Sequence, residues 1–218
     1  MQEELSEALG QEVERLDLLQ QGQIGGVYKA RVEGQTYVVK SSDQREKLAV
    51  EAKMLNDLHD VKIRVPEVIF ANESFLMMEY IKSIDQDQCT QEIEAAKLLS
   101  TLHSITNENR IYGYYYDTTI GPFPQKNEQT QYNWTLFLGQ MRIIPMAKRC
   151  YDEGKISKQI LERLEGLCRE LYKRIDMRNI DPSLLHGDVW SGNVLFERKK
   201  GACLIDPAMY YGDKEMEL

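Results

Sequence analysis

Three polar side chains near the C-terminal end of the chain have the types and spacing of a metal-assisted phosphoryl-transfer site. The segment H-G-D-V-W-S-G-N at 186–193 contains Asp188 and Asn193, and L-I-D-P at 204–207 contains Asp206 after an apolar run. A kinase catalytic loop uses an Asp to orient the hydroxyl nucleophile and an Asn five residues later to bind metal. The spacing therefore predicts Asp188 as the catalytic base, with Asn193 and Asp206 as Mg²⁺ ligands.

Each half of this pattern has a plainer alternative, which is a turn that joins two strands. Gly187 and Gly192 permit tight backbone turns beside polar residues, as in many hairpins. His186 is predicted to brace the loop through hydrogen bonds rather than to take the proton. The joint spacing of the two segments, together with a matching upstream region, favours the kinase interpretation.

An ATP-binding lysine is predicted in the upstream region. Lys40 ends the strand T-Y-V-V-K, 14 residues after Gly26, where it could reach the α- and β-phosphates. Glu51 interrupts the apolar face of the next helix and is the better candidate to hold this lysine, with Glu46 as the reserve. A strand-ending lysine is by itself usually a solvated surface residue, so this prediction depends on the other motifs.

Two further segments are predicted to contact the nucleotide. G-Q-I-G-G at 22–26 could cover the phosphates through Gly25 and Gly26, although it matches neither common glycine-rich pattern and a hairpin turn is the alternative. F-L-M-M-E-Y-I at 75–81 is predicted to run into a hinge whose backbone binds adenine; a buried strand without ligand contact is the alternative. The predicted adenine-binding residues are Met78, Glu79, Tyr80 and Ile81.

The predicted elements form an α+β fold with two lobes, in which residues 1–82 make an antiparallel-sheet lobe. Short β-type runs separated by glycine-bearing turns indicate a meander. Leu48, Ala52 and Leu55 recur at helical spacing and share one face of a helix. The predicted elements are a helix over 3–9, strands within 13–40, a helix over 44–58, and strands at 68–70 and 75–81.

Residues 83–218 are predicted to form a mainly helical lobe that carries the catalytic loop. Thr90 is the predicted entry cap of its first helix, and Pro145 is expected to kink or interrupt the second. Because ligands favour the cleft between two such lobes, the nucleotide is expected to bind there. The predicted helices cover 91–103, 133–153 and 157–178.

The composition argues against several classes of partner and site. The chain has 27 basic and 35 acidic residues and a formal charge of −8, so nucleic acid is not expected as the partner. No apolar run predicts a membrane span and the acidic N-terminus lacks a signal-peptide plan, so a cytoplasmic location is expected. Cys89, Cys150, Cys168 and Cys203 lack metal-site spacing and are predicted to be buried or half-buried thiols.

The motif segments resemble those of the fructosamine kinase (ketosamine 3-kinase) family, which is related to the aminoglycoside and choline phosphotransferases. H-G-D-V-W-S-G-N-V and D-P-A-M-Y-Y-G-D-K-E-M-E-L carry the resemblance, which extends from Leu5 to Leu218 and includes D-T-T-I-G-P-F-P-Q-K-N. It implies the protein-kinase-like fold and ATP-dependent phosphorylation of the sugar 3-hydroxyl of ketosamines, either small glycated amines or glycated protein lysines, with a role in deglycation. It also implies that Trp190 lines the sugar pocket; a core anchor is the alternative.

Two departures from the family pattern change these expectations. Family members continue for several helices past Leu218, so the helical lobe is expected to be C-terminally shortened, with apolar surface that a partner or a second copy could cover. A catalytically silent nucleotide-binding fragment is therefore an alternative, and a phosphotransferase for aminoglycosides or amino alcohols is a weaker one. Residues 20–30 contain no cysteine, so no redox switch is predicted in the glycine-bearing loop.

Overall fold

The computed structural model describes residues 1–21 and 25–217. Its contacts group the chain into two units, one of Met1–Ser100 with Asp188–Ala208 and the other of Thr101–Gly187 with Met209–Leu218. The segment with the predicted catalytic residues is therefore grouped with the N-terminal sheet. The lobe boundary expected between residues 82 and 83 stays a prediction.

Helices separate runs of consecutive strands along the described part of the chain. The helices are α1 (Gln2–Leu9), α2 (Arg45–Asp60), α3 (Gln88–His103), α4 (Trp134–Phe137), α5 (Ile144–Asp152) and α6 (Lys158–Glu170), with a π-helical stretch at Leu138–Ile143. The first strands are β1 (Val13–Gln21), β2 (Gly25–Val32), β3 (Gln35–Ser42), β4 (Val68–Ala71) and β5 (Phe75–Glu79). The later strands are β6 (Ile111–Tyr112), β7 (Thr118–Ile120), β8 (Phe123–Gln125), β9 (Thr130–Gln131), β10 (Ser183–Leu185), β11 (Val194–Glu197), β12 (Gly201–Leu204) and β13 (Tyr210–Gly212).

A five-stranded antiparallel sheet of order β1-β2-β3-β5-β4 forms the centre of the first unit and confirms the predicted sheet lobe. On one face, Leu5 of α1 and Val39 of β3 are fully buried in the same apolar cluster. Because successive strand residues point to opposite faces, the next residue, Lys40, points away from that cluster. It meets Glu51 of α2, which packs against β3, β4 and β5. The alternation in β3 therefore decides where the lysine is presented.

Several predicted helix boundaries differ from those in the structure. α3 begins at Gln88 rather than Gln91, because the Asp87 carboxylate accepts hydrogen bonds from the Thr90 amide at 3.0 Å and hydroxyl at 2.6 Å. Thr90 thus lies inside the helix, and its predicted capping role is wrong. The interruption expected at Pro145 is confirmed, since a π-helical stretch separates α4 from α5 there. α6 ends at Glu170, not Arg178, and short 3₁₀ turns follow it.

An aromatic cluster packs the interior of the second unit. Trp134 lies 5.5 Å from Tyr112 and 5.9 Å from Phe137 between ring centroids, and Phe137 lies 5.7 Å from Tyr210. Tyr112 and Tyr114 are buried, whereas Tyr115 is exposed. The rings of Tyr112 and Tyr114 therefore have a packing role.

The burial of the cysteines and the character of the helices can be compared with the predictions made from composition. Cys203 is buried and Cys150 and Cys168 are half-buried, as predicted. The prediction is wrong for Cys89, which is exposed and lies in the first turn of α3. None of the helices in the described part of the chain combines the length and apolar character needed to cross a bilayer.

Candidate active site

Lys40 makes hydrogen bonds with two carboxylates from distant parts of the chain. Its Nζ atom donates to Glu51 Oε1 at 2.6 Å and also to the Asp206 carboxylate. The side chains of Lys40 and Glu51 are 16% and 17% exposed, whereas that of Asp206 is 47% exposed. Strand β3, helix α2 and the segment after β12 thus bring together three of the predicted site residues. Glu46, the reserve candidate, is exposed on the surface.

Burial and charge act in opposite directions on this cluster. Burial by itself would lower the pKa of Lys40, but the negative charges of Glu51 and Asp206 outweigh it and raise that pKa above its ordinary value. Burial raises the pKa of Glu51, and Lys40 only partly offsets the effect. The ammonium group is therefore held in its charged form, and the Glu51 carboxylate depends on it for compensation.

Asp188 and Asn193 make direct contact, as their spacing suggests. The Asn193 Nδ2 atom donates to the Asp188 main-chain carbonyl at 2.8 Å and to the Asp188 Oδ2 atom at 3.0 Å. A 3₁₀ turn at Ser191–Asn193 brings the Asn193 side chain back to Asp188. A 2.9 Å hydrogen bond from the Asn193 main-chain amide to the Trp190 carbonyl closes this turn. Because both amide hydrogens of the Asn193 side chain serve Asp188, its side-chain oxygen points in another direction.

The two predicted metal ligands lie at the same end of one hairpin. Asn193 directly precedes β11 and Asp206 follows β12, and the register pairs Val194 with Leu204. The Ile205 amide donates to the Asn193 carbonyl at 3.0 Å, which extends the ladder by one bond. Asp206 has a φ of 56°, in the left-handed region that side-chain-bearing residues rarely adopt. Such strain is common at functional sites, where surrounding contacts maintain it.

The donor set suits Mg²⁺ bound together with a nucleotide. Asn193 and Asp206 offer an amide oxygen and a carboxylate, and Mg²⁺ prefers oxygen ligands. Within residues 1–21 and 25–217, no group of three or more His, Cys, Asp and Glu side chains could hold a metal ion. A dedicated protein cage is therefore not built from these residues. Mg²⁺ commonly needs only one or two carboxylates, because water and phosphate oxygens complete its shell.

The glycines at the start of β2 have a packing reason. Residues 22–24 of the G-Q-I-G-G segment lie outside the described residues. A Cβ atom added to Gly25 would overlap the carbonyl oxygen of Ser41 on β3, and one added to Gly26 would overlap the Tyr28 ring. Close approach of the two strands therefore requires glycine at Gly25, and contact with phosphates stays a prediction for both positions.

The predicted hinge residues differ in what they offer a ligand. Met78 and Ile81 are buried, and the ring of Tyr80 lies 4.7 Å below the Lys29 ammonium. The Glu79 amide donates to the Glu67 carbonyl at 2.8 Å, and its carboxylate accepts hydrogen bonds from Arg64 and Lys200. Since its amide and side chain are engaged within the protein, an adenine contact by Glu79 would have to use its carbonyl group.

The side chain of Trp190 is not a core anchor. It is 60% exposed, and its indole lies so close to Gly192 that an added Cβ atom there would overlap the ring. The alternative of a buried structural tryptophan is therefore wrong. A large exposed ring two residues after Asp188 is available to a ligand, and its contact with a sugar stays a prediction.

Sequence reasoning missed Glu217, which fixes the main chain just before Asp188. Its carboxylate accepts hydrogen bonds from the His186 amide at 3.2 Å, from the Gly187 amide and from His103 Nε2 at 2.8 Å. The Glu217 side chain is only 4% exposed. The acidic D-K-E-M-E segment was visible in the sequence, but its spacing does not indicate which carboxylate turns inward. His186, predicted as a brace, is completely buried.

Glu217→Gln is expected to destabilise the protein by about 2 kcal/mol, because an amide cannot accept all the hydrogen bonds that the buried carboxylate accepts. Urea unfolding followed by circular dichroism would measure this change. The matched control is Glu215→Gln, because Glu215 is exposed and lies in the same 3₁₀ turn, Lys214–Glu217. This control should change the free energy of unfolding by less than about 0.5 kcal/mol. Equal stability of the two variants would contradict the anchoring role.

Comparison with known proteins identifies the family. The fructosamine kinase family model matches residues 1–218. The chain is 30% identical over 223 aligned positions to a "Probable ketoamine kinase" of Escherichia coli strain K12, with 98% of this chain and 75% of that protein covered. It is also 30% identical over 173 positions to the chloroplastic protein-ribulosamine 3-kinase of Arabidopsis thaliana, covering 77% and 52% of the two chains.

Solved structures show the same relationship at the level of the fold. A Haemophilus somnus 129PT protein described as a fructosamine-3-kinase superposes with a TM-score of 0.83 at 26% identity, over 99% of this chain and 74% of that one. The aminoglycoside phosphotransferase APH(2")-IIa, in a ternary complex with streptomycin and ATP, superposes with a TM-score of 0.65 at 18% identity. The superposition covers 99% of this chain and 72% of that one. This second likeness shows the kinase-like fold alone. With its whole length matched by the family model, the chain belongs to the fructosamine kinase family.

Proposed function

We propose that this chain is an ATP-dependent kinase that phosphorylates the sugar 3-hydroxyl of ketosamines. The proposal depends on the ion pairs that the Lys40 ammonium makes with the carboxylates of Glu51 and Asp206. These pairs occur in a chain that belongs to the fructosamine kinase family. A lysine held by a helix glutamate is the phosphate contact that kinases use. The relatives named ketoamine kinase and ribulosamine 3-kinase support glycated amines or glycated protein lysines as acceptors.

Asp188 acts as the proton acceptor in this proposal. Its carboxylate orients the sugar hydroxyl and takes the proton as the oxygen attacks the γ-phosphorus of ATP. The bond from that phosphorus to the β–γ bridging oxygen breaks, and ADP leaves with this oxygen. The 3.0 Å bond from Asn193 Nδ2 to Asp188 Oδ2 fixes the orientation of this carboxylate. Trp190 supplies an exposed apolar ring against which the C–H groups of a sugar can pack.

The remaining residues hold the nucleotide. Mg²⁺, when bound, neutralises the phosphate charge and so favours transfer. The Asn193 amide oxygen and the Asp206 carboxylate hold this ion, while Lys40 stays with Glu51 and contacts the α- and β-phosphates. The backbone of Gly25 and Gly26 lies beside the phosphates, and the backbone of 78–81 binds adenine. A cytoplasmic location and self-association remain predictions.

The proposal is tested by incubating the protein with ATP, Mg²⁺ and either N-α-acetyl-fructoselysine or N-α-acetyl-ribuloselysine. ADP release, with a sugar phosphate signal in ³¹P NMR, is expected with a ketosamine and not with N-α-acetyl-lysine. An aminoglycoside such as kanamycin serves as the acceptor of the weaker alternative. ATP binding without ADP release above the acceptor-free blank would instead favour a catalytically silent nucleotide-binding protein.

A further inference from the structure

We propose that Arg64 is a positioning residue that holds the hairpin bearing Asn193 and Asp206 on the end of the central sheet. The inference rests on the proposed function, because it assumes that these two residues bind Mg²⁺ with the nucleotide. Arg64 itself contacts neither the reacting groups nor the metal ligands. It acts through Glu79 at the end of β5 and Glu197 at the end of β11.

The hairpin β11–β12 needs an external support. It consists of two strands of four residues each, and an isolated two-stranded hairpin is marginally stable in water. Asn193 and Asp206 lie at one end of it, so a tilt of the hairpin would displace both candidate ligands together. Fixing the hairpin therefore fixes the metal-binding geometry.

Arg64 attaches to both strands of the hairpin at once. Its main-chain carbonyl accepts a hydrogen bond from the Leu204 amide of β12 at 3.0 Å. Its guanidinium donates to Glu197 Oε2 of β11, from Nε at 2.9 Å and from Nη2 at 2.5 Å. Because these three bonds reach two different strands, they restrain a rotation of the hairpin that a single bond would leave possible.

The same guanidinium group attaches to the sheet. Nη1 and Nη2 of Arg64 donate to the two carboxylate oxygens of Glu79 at 2.7 and 2.9 Å, which is the paired geometry that arginine favours. Lys200, in the hairpin turn, adds a 3.0 Å bond to Glu79. Strand β5 pairs with β3, which carries Lys40 opposite Leu76. The connection therefore runs from the strand that presents Lys40 to the hairpin that presents Asp206.

The charges in this network are balanced and partly shielded. The side chains of Arg64, Glu79 and Glu197 are 21%, 27% and 16% exposed. Burial opposes ionisation of Glu79, but the hydrogen bonds from Arg64 and Lys200 outweigh it and lower the pKa of Glu79 to about 2. Both carboxylates need one cation that can donate hydrogen bonds to both of them. The planar guanidinium group of arginine has enough donors in fixed directions to do this, whereas a lysine ammonium group does not.

The test uses Arg64→Lys, which keeps the positive charge but removes the planar guanidinium group. Glu197→Gln is a second variant. Amide hydrogen exchange of the nucleotide-free protein gives the first readout. Exchange at Leu204 and Ile205 is expected to rise about tenfold or more in both variants, while exchange in β2 and β3 stays unchanged. The matched control is Arg15→Lys, since Arg15 makes an exposed ion pair with Asp17 elsewhere in the same unit.

Binding of a non-hydrolysable ATP analogue, titrated with Mg²⁺, gives the second readout. Arg64→Lys is expected to raise the half-saturating Mg²⁺ concentration several-fold and to lower kcat more than it changes KM for the acceptor. A merely structural role would instead lower the melting temperature and leave the Mg²⁺ dependence at the wild-type value. That result, or unchanged exchange at Leu204 and Ile205, would overturn the proposal.

Asp206→Asn separates this inference from the proposed function. In a protein with the proposed site, this variant loses most of the Mg²⁺ dependence of analogue binding. If Asp206→Asn binds the analogue like the wild type, the metal site fails and the positioning role fails with it. If Asp206→Asn is impaired and Arg64→Lys is not, the inference about Arg64 alone is wrong.

Discussion

Asp188→Asn is expected to lower kcat for a ketosamine by about 10³-fold while leaving the dissociation constant for Mg²⁺-ATP within twofold of the wild type. The amide has nearly the same shape as the carboxylate and keeps an oxygen that can accept the 3.0 Å bond from Asn193 Nδ2. It cannot take a proton from the attacking hydroxyl. Single-turnover measurement of phosphoryl transfer, with calorimetric titration of the nucleotide, would separate the two quantities.

Asp181→Asn is the matched control for this prediction. Asp181 forms an exposed ion pair with Arg110, and such surface pairs contribute only about 0–1 kcal/mol to stability. The kcat of the Asp181→Asn variant should equal that of the wild type. Near-normal turnover in Asp188→Asn would remove Asp188 from the role of base, whereas a parallel loss of nucleotide binding would indicate a phosphate or metal role instead.

Lys40→Met is expected to lower kcat/KM for ATP by about 10²-fold and the free energy of unfolding by about 3 kcal/mol at pH 8. The first effect follows from loss of the phosphate contact. The second follows because the half-buried Glu51 carboxylate, 2.6 Å from the Lys40 ammonium, would lose its compensating charge. Steady-state kinetics and urea unfolding would measure the two effects.

The stability loss in Lys40→Met should depend on pH. Burial already raises the pKa of Glu51 in the folded protein, and removal of Lys40 would raise it further. A carboxyl group with a raised folded-state pKa binds its proton more tightly in the folded protein than in the unfolded chain. The loss of unfolding free energy that it causes is therefore small at low pH and grows as the pH rises above the pKa of the unfolded chain. The difference in unfolding free energy between wild type and variant should therefore be larger at pH 8 than at pH 5.

The double variant Lys40→Met with Glu51→Leu distinguishes the two causes. It removes the buried charge together with its partner, and replacement of a buried pair by apolar residues is often neutral for stability. Most of the lost unfolding free energy should return, whereas kcat/KM for ATP should stay low. Recovery of activity in the double variant would contradict the phosphate-binding role, and equal stability at both pH values in the single variant would contradict the buried-charge argument.

Local patterns in the sequence determined the elements and the short-range part of the site. Alternation in T-Y-V-V-K and helical spacing in α2 depend on neighbouring residues, so the strand and the helix that present Lys40 and Glu51 were predictable. The five-residue return from Asn193 to Asp188 also needs only one turn of chain. Helix ends were less predictable, since a single side chain such as Asp87 moves a boundary by three residues.

Only the tertiary structure decided which distant charges meet. Lys40 and Asp206 lie 166 residues apart, and Arg64 and Glu197 lie 133 apart, so no local spacing relates them. The same is true of Glu217, whose carboxylate turns inward to the main chain of His186 and Gly187. The physical reason is that a buried charge persists only with a partner in reach, and packing of whole strands and helices determines which partner that is.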